Sequence, residues 1–204
     1  MPQQQIFNFP QEPDFSAENL MPLPYNQEAF DRVTQFPRFE GDVLVLTGPA
    51  GVGKTHLLKA WIERTGGHYL TPDTIETAPI MDITFAALDD VEKLDAGQQE
   101  QAFHIYNHIK QIGGGLLLSS QQAVKNLDLL ADLKSRLLNG IQTDINYPSE
   151  QELQVLLAKW ALDRQIELDP SVIGYLLRHA DRSPQMLQDI VNRLDELSLQ
   201  EKRR

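Results

Sequence analysis

From Asp42 onward the chain alternates between short continuous apolar runs and longer stretches with apolar positions every three or four residues. Val43-Leu44-Val45-Leu46, closed by Thr47-Gly48, is such a run. It suits a strand buried on both faces. Leu57, Leu58, Trp61 and Ile62 then follow helical spacing up to Gly66-Gly67. His68-Tyr69-Leu70 predicts a short second strand, Ile83–Leu88 a third that ends in Asp89-Asp90, and Leu116-Leu117-Leu118 a fourth that runs into Ser119-Ser120. Between the last two, Gln98–Ile112 predicts a helix with Ala102, Phe103, Tyr106 and Ile109 on one face, and Ile141–Tyr147 predicts a fifth strand. Strands alternating with helices predict a five-stranded parallel sheet with helices on both faces, an α/β fold.

The strand pattern stops after Pro148. Ser149 with Glu152 forms a capping-box signature for a helix carrying Leu153, Leu156, Leu157 and Trp160. Asp169-Pro170 opens a second helix, through Val172, Ile173, Leu176 and Leu177, and Ser183-Pro184 a third, with Leu187, Ile190, Val191, Leu194 and Leu197. At the other end, Pro2, Pro10, Pro13, Pro22 and Pro24 disfavour helix and central strand, and Phe7, Phe9 and Phe15 punctuate the same stretch. A helix over Asn26–Gln35 follows. The expected organisation is an extended tail over 1–24, a nucleotide-binding α/β subdomain over 25–147 and a small all-helical lid over 148–204.

Composition narrows the function classes. The 204 residues contain no cysteine, which removes disulfides, thiolate zinc sites and cysteine nucleophiles. A net charge of −11, from 18 Lys+Arg against 29 Asp+Glu, argues against a chain that wraps nucleic acid by itself, because that needs clustered cations. No apolar run approaches the roughly 20 residues of a membrane helix. Residues 1–31 hold no Lys or Arg, which fits neither a signal nor a transit peptide, so a cytoplasmic protein without membrane contact is expected.

One motif carries chemistry outright. Gly48-Pro49-Ala50-Gly51-Val52-Gly53-Lys54-Thr55 matches G-x-x-x-x-G-K-[ST] between a predicted strand and a predicted helix. In that pattern the glycines let backbone N–H groups turn toward phosphates, Lys54 brings a point charge to them and Thr55 offers a hydroxyl to Mg²⁺. The helix dipole adds to the same site. Asp89 and Asp90, at the end of a predicted parallel strand, face the same crevice. Asp89 suits the Mg²⁺ shell and Asp90 the orientation of an attacking water. Ser119-Ser120-Gln121 at the end of the next strand, Ser120 included, reads equally as a contact to the γ-phosphate or water or as ordinary turn chemistry. Arg136 reads as a surface salt bridge or as a cation for a transferring phosphoryl group. His104 and His108 are four apart on a helix but lack a third ligand, so a helix-surface role is expected.

The order of these motifs resembles one family. Gly51-Val52-Gly53-Lys54-Thr55-His56-Leu57-Leu58, Leu88-Asp89-Asp90, Leu118-Ser119-Ser120 and Leu133-Lys134-Ser135-Arg136-Leu137 are similar to the AAA+ domain of the bacterial replication initiator DnaA, from about residue 25 to about 198. The resemblance implies an AAA+ P-loop NTPase that binds ATP or ADP with Mg²⁺ through residues 48–56, His56 included. No helix-turn-helix segment like the initiator's DNA-binding domain follows the lid, so sequence-specific DNA binding is not expected. In this the chain resembles the Hda family of DnaA-related regulators.

Members of that family carry a short clamp-binding motif. The tail offers Gln3-Gln4-Gln5-Ile6-Phe7-Asn8-Phe9, either Gln3 with Ile6 and Phe7 or Gln4 with Phe7 and Phe9. An extended peptide with a polar anchor and two apolar plugs suits a groove; the alternative is a tail that packs these rings on its own domain. The resemblance implies recruitment by the DNA polymerase sliding clamp and an arginine-finger role for Arg136 on ATP-bound DnaA, which inactivates the initiator. Two readings stand beside it: a stand-alone AAA+ ATPase acting as helicase loader, clamp loader or remodelling factor, and a DNA-binding initiator fragment, which the charge disfavours. Self-association stays open. The family often places an arginine at the start of the third lid helix; here that position is Gln185, with Arg182 nearby. Own ATP hydrolysis is therefore expected to be weak.

Overall fold

Parallel strands order as β2-β3-β4-β1-β5 in the computed structural model, which describes residues 20–37, 42–180 and 183–201. They are β1 (Asp42–Thr47), β2 (His68–Leu70), β3 (Phe85–Leu88), β4 (Gly115–Ser120) and β5 (Ile141–Asp144). The described helices are α1 (Gln27–Thr34), α2 (Lys54–Thr65), α3 (Ala96–Ile112), α4 (Ala131–Leu138), α5 (Glu150–Asp163), α6 (Pro170–His179) and α7 (Pro184–Glu201). The expected α/β class with a parallel five-stranded sheet and a helical lid is the observed one.

The apolar runs are continuous because both sheet faces are covered. Side chains alternate across a strand. Val43, Val45, Ala86, Leu88, Leu116 and Leu118 pack on one face with Ile105, Ile109, Leu133 and Leu137 from α3 and α4. Leu44, Leu46, Ala87 and Leu117 pack on the other with Ala29, Val33, Leu57, Leu58 and Trp61 from α1 and α2. Each large buried side chain contributes about 1.5–3 kcal/mol of transfer free energy.

Helices α5 to α7 build a third core from Leu153, Leu156, Leu157, Trp160, Leu177, Leu187 and Val191. The capping box is present: Ser149 accepts from the Glu152 amide, and Glu152 returns a bond to the Ser149 amide. Asp169 caps α6 ahead of Pro170. A strap over residues 20–26 ties the cores together. Leu20 and Tyr25 pack on the α/β core, while Met21, Leu23 and the same Tyr25 pack on the helical one. The Tyr25 amide donates to Glu152 Oε1 at 2.8 Å.

Boundaries differ where turns intervene. The third strand begins at Phe85 rather than Ile83, because the Ile83 amide closes a 3₁₀ turn onto Ile80. The fifth ends at Asp144, after which Asn146 turns away to bond the Tyr25 carbonyl. Helix α3 starts two residues earlier than expected, at Ala96, behind an Asp95–Gln98 capping box. The candidate tail residues Gln3, Gln4, Ile6, Phe7 and Phe9 lie outside the described residues.

Candidate functional site

The P-loop leaves the carboxyl end of β1, between β4 and β5. The Gly48 amide donates to the Ser120 carbonyl at 3.1 Å. A Cβ on Gly48 would stand 2.4 Å from the Ile145 carbonyl oxygen, so only glycine passes there. Gly53 holds φ +101° as it caps α2, a backbone open to glycine alone at little cost. Pro49, Ala50 and Gly51 span the loop, Val52 is buried beneath it, and Lys54, Thr55 and His56 form the first turn of α2.

Lys54 is 6% exposed, and its Nζ donates to the carbonyls of Gly48 at 2.6 Å and Pro49 at 2.8 Å. Burial lowers its pKa, opposed by the carboxylates of Glu92, Asp89 and Asp90. The P-loop thus holds a desolvated ammonium at the amino end of a helix, chemistry that matches a polyphosphate.

Asp89 is 5% exposed at the end of β3. Its Oδ2 accepts from Thr55 Oγ1 and from Tyr69 Oη, each at 2.7 Å, and its Oδ1 accepts from Ser119 Oγ. Burial pushes the Tyr69 hydroxyl pKa up, and its bond to the Asp89 carboxylate pushes the same way. Thr55 and Asp89 therefore present adjacent hard oxygens. That donor set fits Mg²⁺, which takes one or two protein oxygens and completes its octahedron with water and phosphate. Among the described residues no group of three or more His, Cys, Asp and Glu could hold a metal by itself.

The two acids expected to act together diverge. Asp90 sits at φ +56°, and its Oδ2 pairs with Lys93 Nζ at 2.6 Å. Ser120 Oγ is buried and accepts from the Gln122 amide at 3.2 Å, the turn alternative. Its neighbour Ser119 is the serine that reaches Asp89. The sequence does not single out Tyr69 or Glu92, and it offers Ser119 only as a contact to phosphate or water, whereas its partner is Asp89. The signal lay in register: Leu88 pairs with Leu118, so Asp89 and Ser119 are each one residue on from that pair.

A model described as "Hda, lid domain" matches residues 150–204. Domain III of the Thermotoga maritima replication initiation protein DnaA superposes with a TM-score of 0.79 at 20% identity, over 95% of this chain and 92% of that one. AMPPCP-bound DnaA from Aquifex aeolicus superposes with a TM-score of 0.77 at 24% identity, over 92% and 66%. The chromosomal replication initiator DnaA of Thermosipho melanesiensis is 23% identical over 223 residues, 91% of this chain and 48% of that protein. Over most of its length the chain is similar to DnaA, and it shares the fold of that protein's domain III. It spans about half the length of the curated relatives it matches.

In this fold the helical lid bears directly on the P-loop. The Gln185 amide at the start of α7 donates to the Gly51 carbonyl at 3.1 Å, and a Cβ on Gly51 would stand 3.2 Å from Ser183 and Gln185. The Gln185 side chain turns back along its own helix to Asp189 Oδ1, at 3.0 Å. Arg182 lies outside the described residues. Arg136 is exposed in the last turn of α4 and makes no ion pair among the described residues. Leu133 and Leu137 anchor that helix in the core beneath it. Helix α4 presents Arg136 outward, unpaired with any described carboxylate. No described helix is long and apolar enough to cross a membrane.

Proposed function

We propose that this protein regulates replication initiation. It binds ATP or ADP with Mg²⁺, is tethered to the sliding clamp, and stimulates hydrolysis of ATP on DnaA, inactivating the initiator in the cytoplasm. The observation that carries the nucleotide part is the P-loop with buried Lys54 beside the Thr55–Asp89 pair. Lys54 neutralises phosphate charge, the loop amides orient the phosphates, and Thr55 and Asp89 would hold the metal. Bound Mg²⁺ would supply charge neutralisation at the phosphates.

The trans-acting part rests on Arg136. An exposed guanidinium on a short helix, without an ion pair among the described residues, is free to enter a neighbour's site, where it stabilises charge on a transferring phosphoryl group. The match of residues 150–204 to the Hda lid supports this over an initiator role. Clamp binding rests on the sequence of the tail, through Gln3 or Gln4 with Ile6, Phe7 and Phe9. The clamp would then bring an acidic chain to DNA that it does not contact itself.

The test is the rate of DnaA-bound ATP hydrolysis with DNA-loaded clamp, the full chain and its Arg136→Ala variant. Stimulation that requires both the clamp and Arg136 supports the regulator. A finger residue of this kind is worth about 10³–10⁵ in rate where it has been measured, so the variant is expected to lose nearly all stimulation. No stimulation, with steady turnover by the chain alone, replaces this reading with the stand-alone ATPase, which the intact Thr55–Asp89 pair permits.

A further inference from the structure

Glu92 follows the two aspartates on a 3₁₀ turn, Val91–Lys93. Its Oε1 accepts the amide of Gln121 at 3.2 Å. Gln121 is one residue beyond Ser120, whose carbonyl holds the first glycine of the P-loop. Glu92 therefore joins the end of β3 to the end of β4, at the mouth of the phosphate crevice. Its second oxygen, Oε2, is buried and has no hydrogen-bond partner among the described residues. A buried carboxylate oxygen without a donor is costly, and such groups concentrate where a ligand, water or ion supplies one. Of the carboxylates acting on Lys54, that of Glu92 acts most strongly, ahead of Asp89 and Asp90.

The aspartates are already engaged. Asp89 has donors on both oxygens, and Asp90 is paired with Lys93. We propose that Glu92 is the second acid of the phosphate crevice, its Oε2 accepting a hydrogen bond from a water of the hydrated Mg²⁺ that accompanies the nucleotide. This rests on the nucleotide reading above and deepens it. Glu92 is a positioning residue. It acts through the water and leaves direct metal contact to Thr55 and Asp89.

The readout is the Mg²⁺ enhancement of affinity, the ratio of ADP Kd in excess EDTA to that in saturating Mg²⁺, by calorimetry on the full chain. In Glu92→Gln the amide oxygen keeps the bond to Gln121, and the NH₂ puts a donor where an acceptor is needed. Outer-shell partners of a metal typically cost 10–100-fold when changed, so the enhancement is expected to fall at least about tenfold. Affinity in EDTA should hold or rise, because a negative charge near the phosphates is gone. A residue with only a structural role would lower both affinities together. Glu92→Asp, which withdraws the carboxylate by one methylene, gives the same reading should the glutamine variant fail to fold. Unchanged enhancement overturns the proposal, and so does its loss in Asp90→Asn with retention in Glu92→Gln. Wild-type protein that binds ADP in neither condition overturns the nucleotide reading itself. Wild-type ADP binding with no dependence on Mg²⁺ overturns the proposal alone.

Discussion

Lys54 is buried against carbonyl oxygens at 2.6 and 2.8 Å, an arrangement that keeps an ammonium satisfied within a loop built for anions. Lys54→Ala is expected to abolish measurable nucleotide binding in equilibrium dialysis while the fold persists by circular dichroism; unchanged affinity would refute the P-loop assignment. Tyr69 makes a second test at this scale. Its hydroxyl donates to a buried carboxylate, and hydrogen bonds to charged groups contribute about 1.5–3 kcal/mol. Tyr69→Phe, half-buried at the sheet edge, is expected to cost toward the lower end, about 1.5 kcal/mol, in urea denaturation. The phosphate loop was legible because its eight residues are contiguous and their spacing carries the mechanism. The bonds of Ser119 and Tyr69 to Asp89 were not, because they cross from strands far apart in sequence; Glu92 is close to Asp89 in the chain, but its tie to Gln121 is equally long-range. Only the parallel register of β2, β3 and β4 brings Tyr69 and Ser119 to Asp89.

At the scale of elements, local capping chemistry explains what could be read. Ser149–Glu152 and Asp169–Pro170 were visible as start signals, because a cap acts within three residues. Helix α4 was not visible. Its N-cap, Leu130, offers no side-chain acceptor, and the helix is held by Leu133 and Leu137 in the core. Glu152 shows how a local device gains a distant use. One carboxylate closes the cap of α5 at the Ser149 amide and also accepts the Tyr25 amide, 127 residues away. Ser149→Ala is therefore expected to cost about 1 kcal/mol of stability, the usual worth of a cap. Glu152→Ala removes the strap contact as well, so its loss in the same urea titration should exceed that of Ser149→Ala. Equal losses would show that the strap bond contributes nothing.

The whole molecule depends on how the strap joins two cores. Tyr25 packs on both the α/β core and the helical one. Burial pushes its hydroxyl up from 10.0 to about 12; a bond with Asn26 pulls the other way, and the Glu152 carboxylate adds to the rise. The fold prefers the neutral phenol. The stabilisation that follows is complete below about pH 10, the unfolded value, and is lost as pH climbs toward about 12. Lysine and tyrosine side chains in general ionise at alkaline pH, so the informative quantity is the difference between wild type and Tyr25→Phe. The phenylalanine keeps the ring in both cores and has no proton to lose. The melting temperature of wild type is expected to fall more steeply than that of Tyr25→Phe between pH 10 and 12, the two curves running parallel below pH 9. Parallel curves throughout would show that Tyr25 ionises without cost and that the strap does not hold the lid to the sheet. A gap that opens in that window would instead make residue 25 a point where the segment following the candidate clamp-binding tail bears on the lid, which itself rests on the P-loop through Gln185 and Gly51.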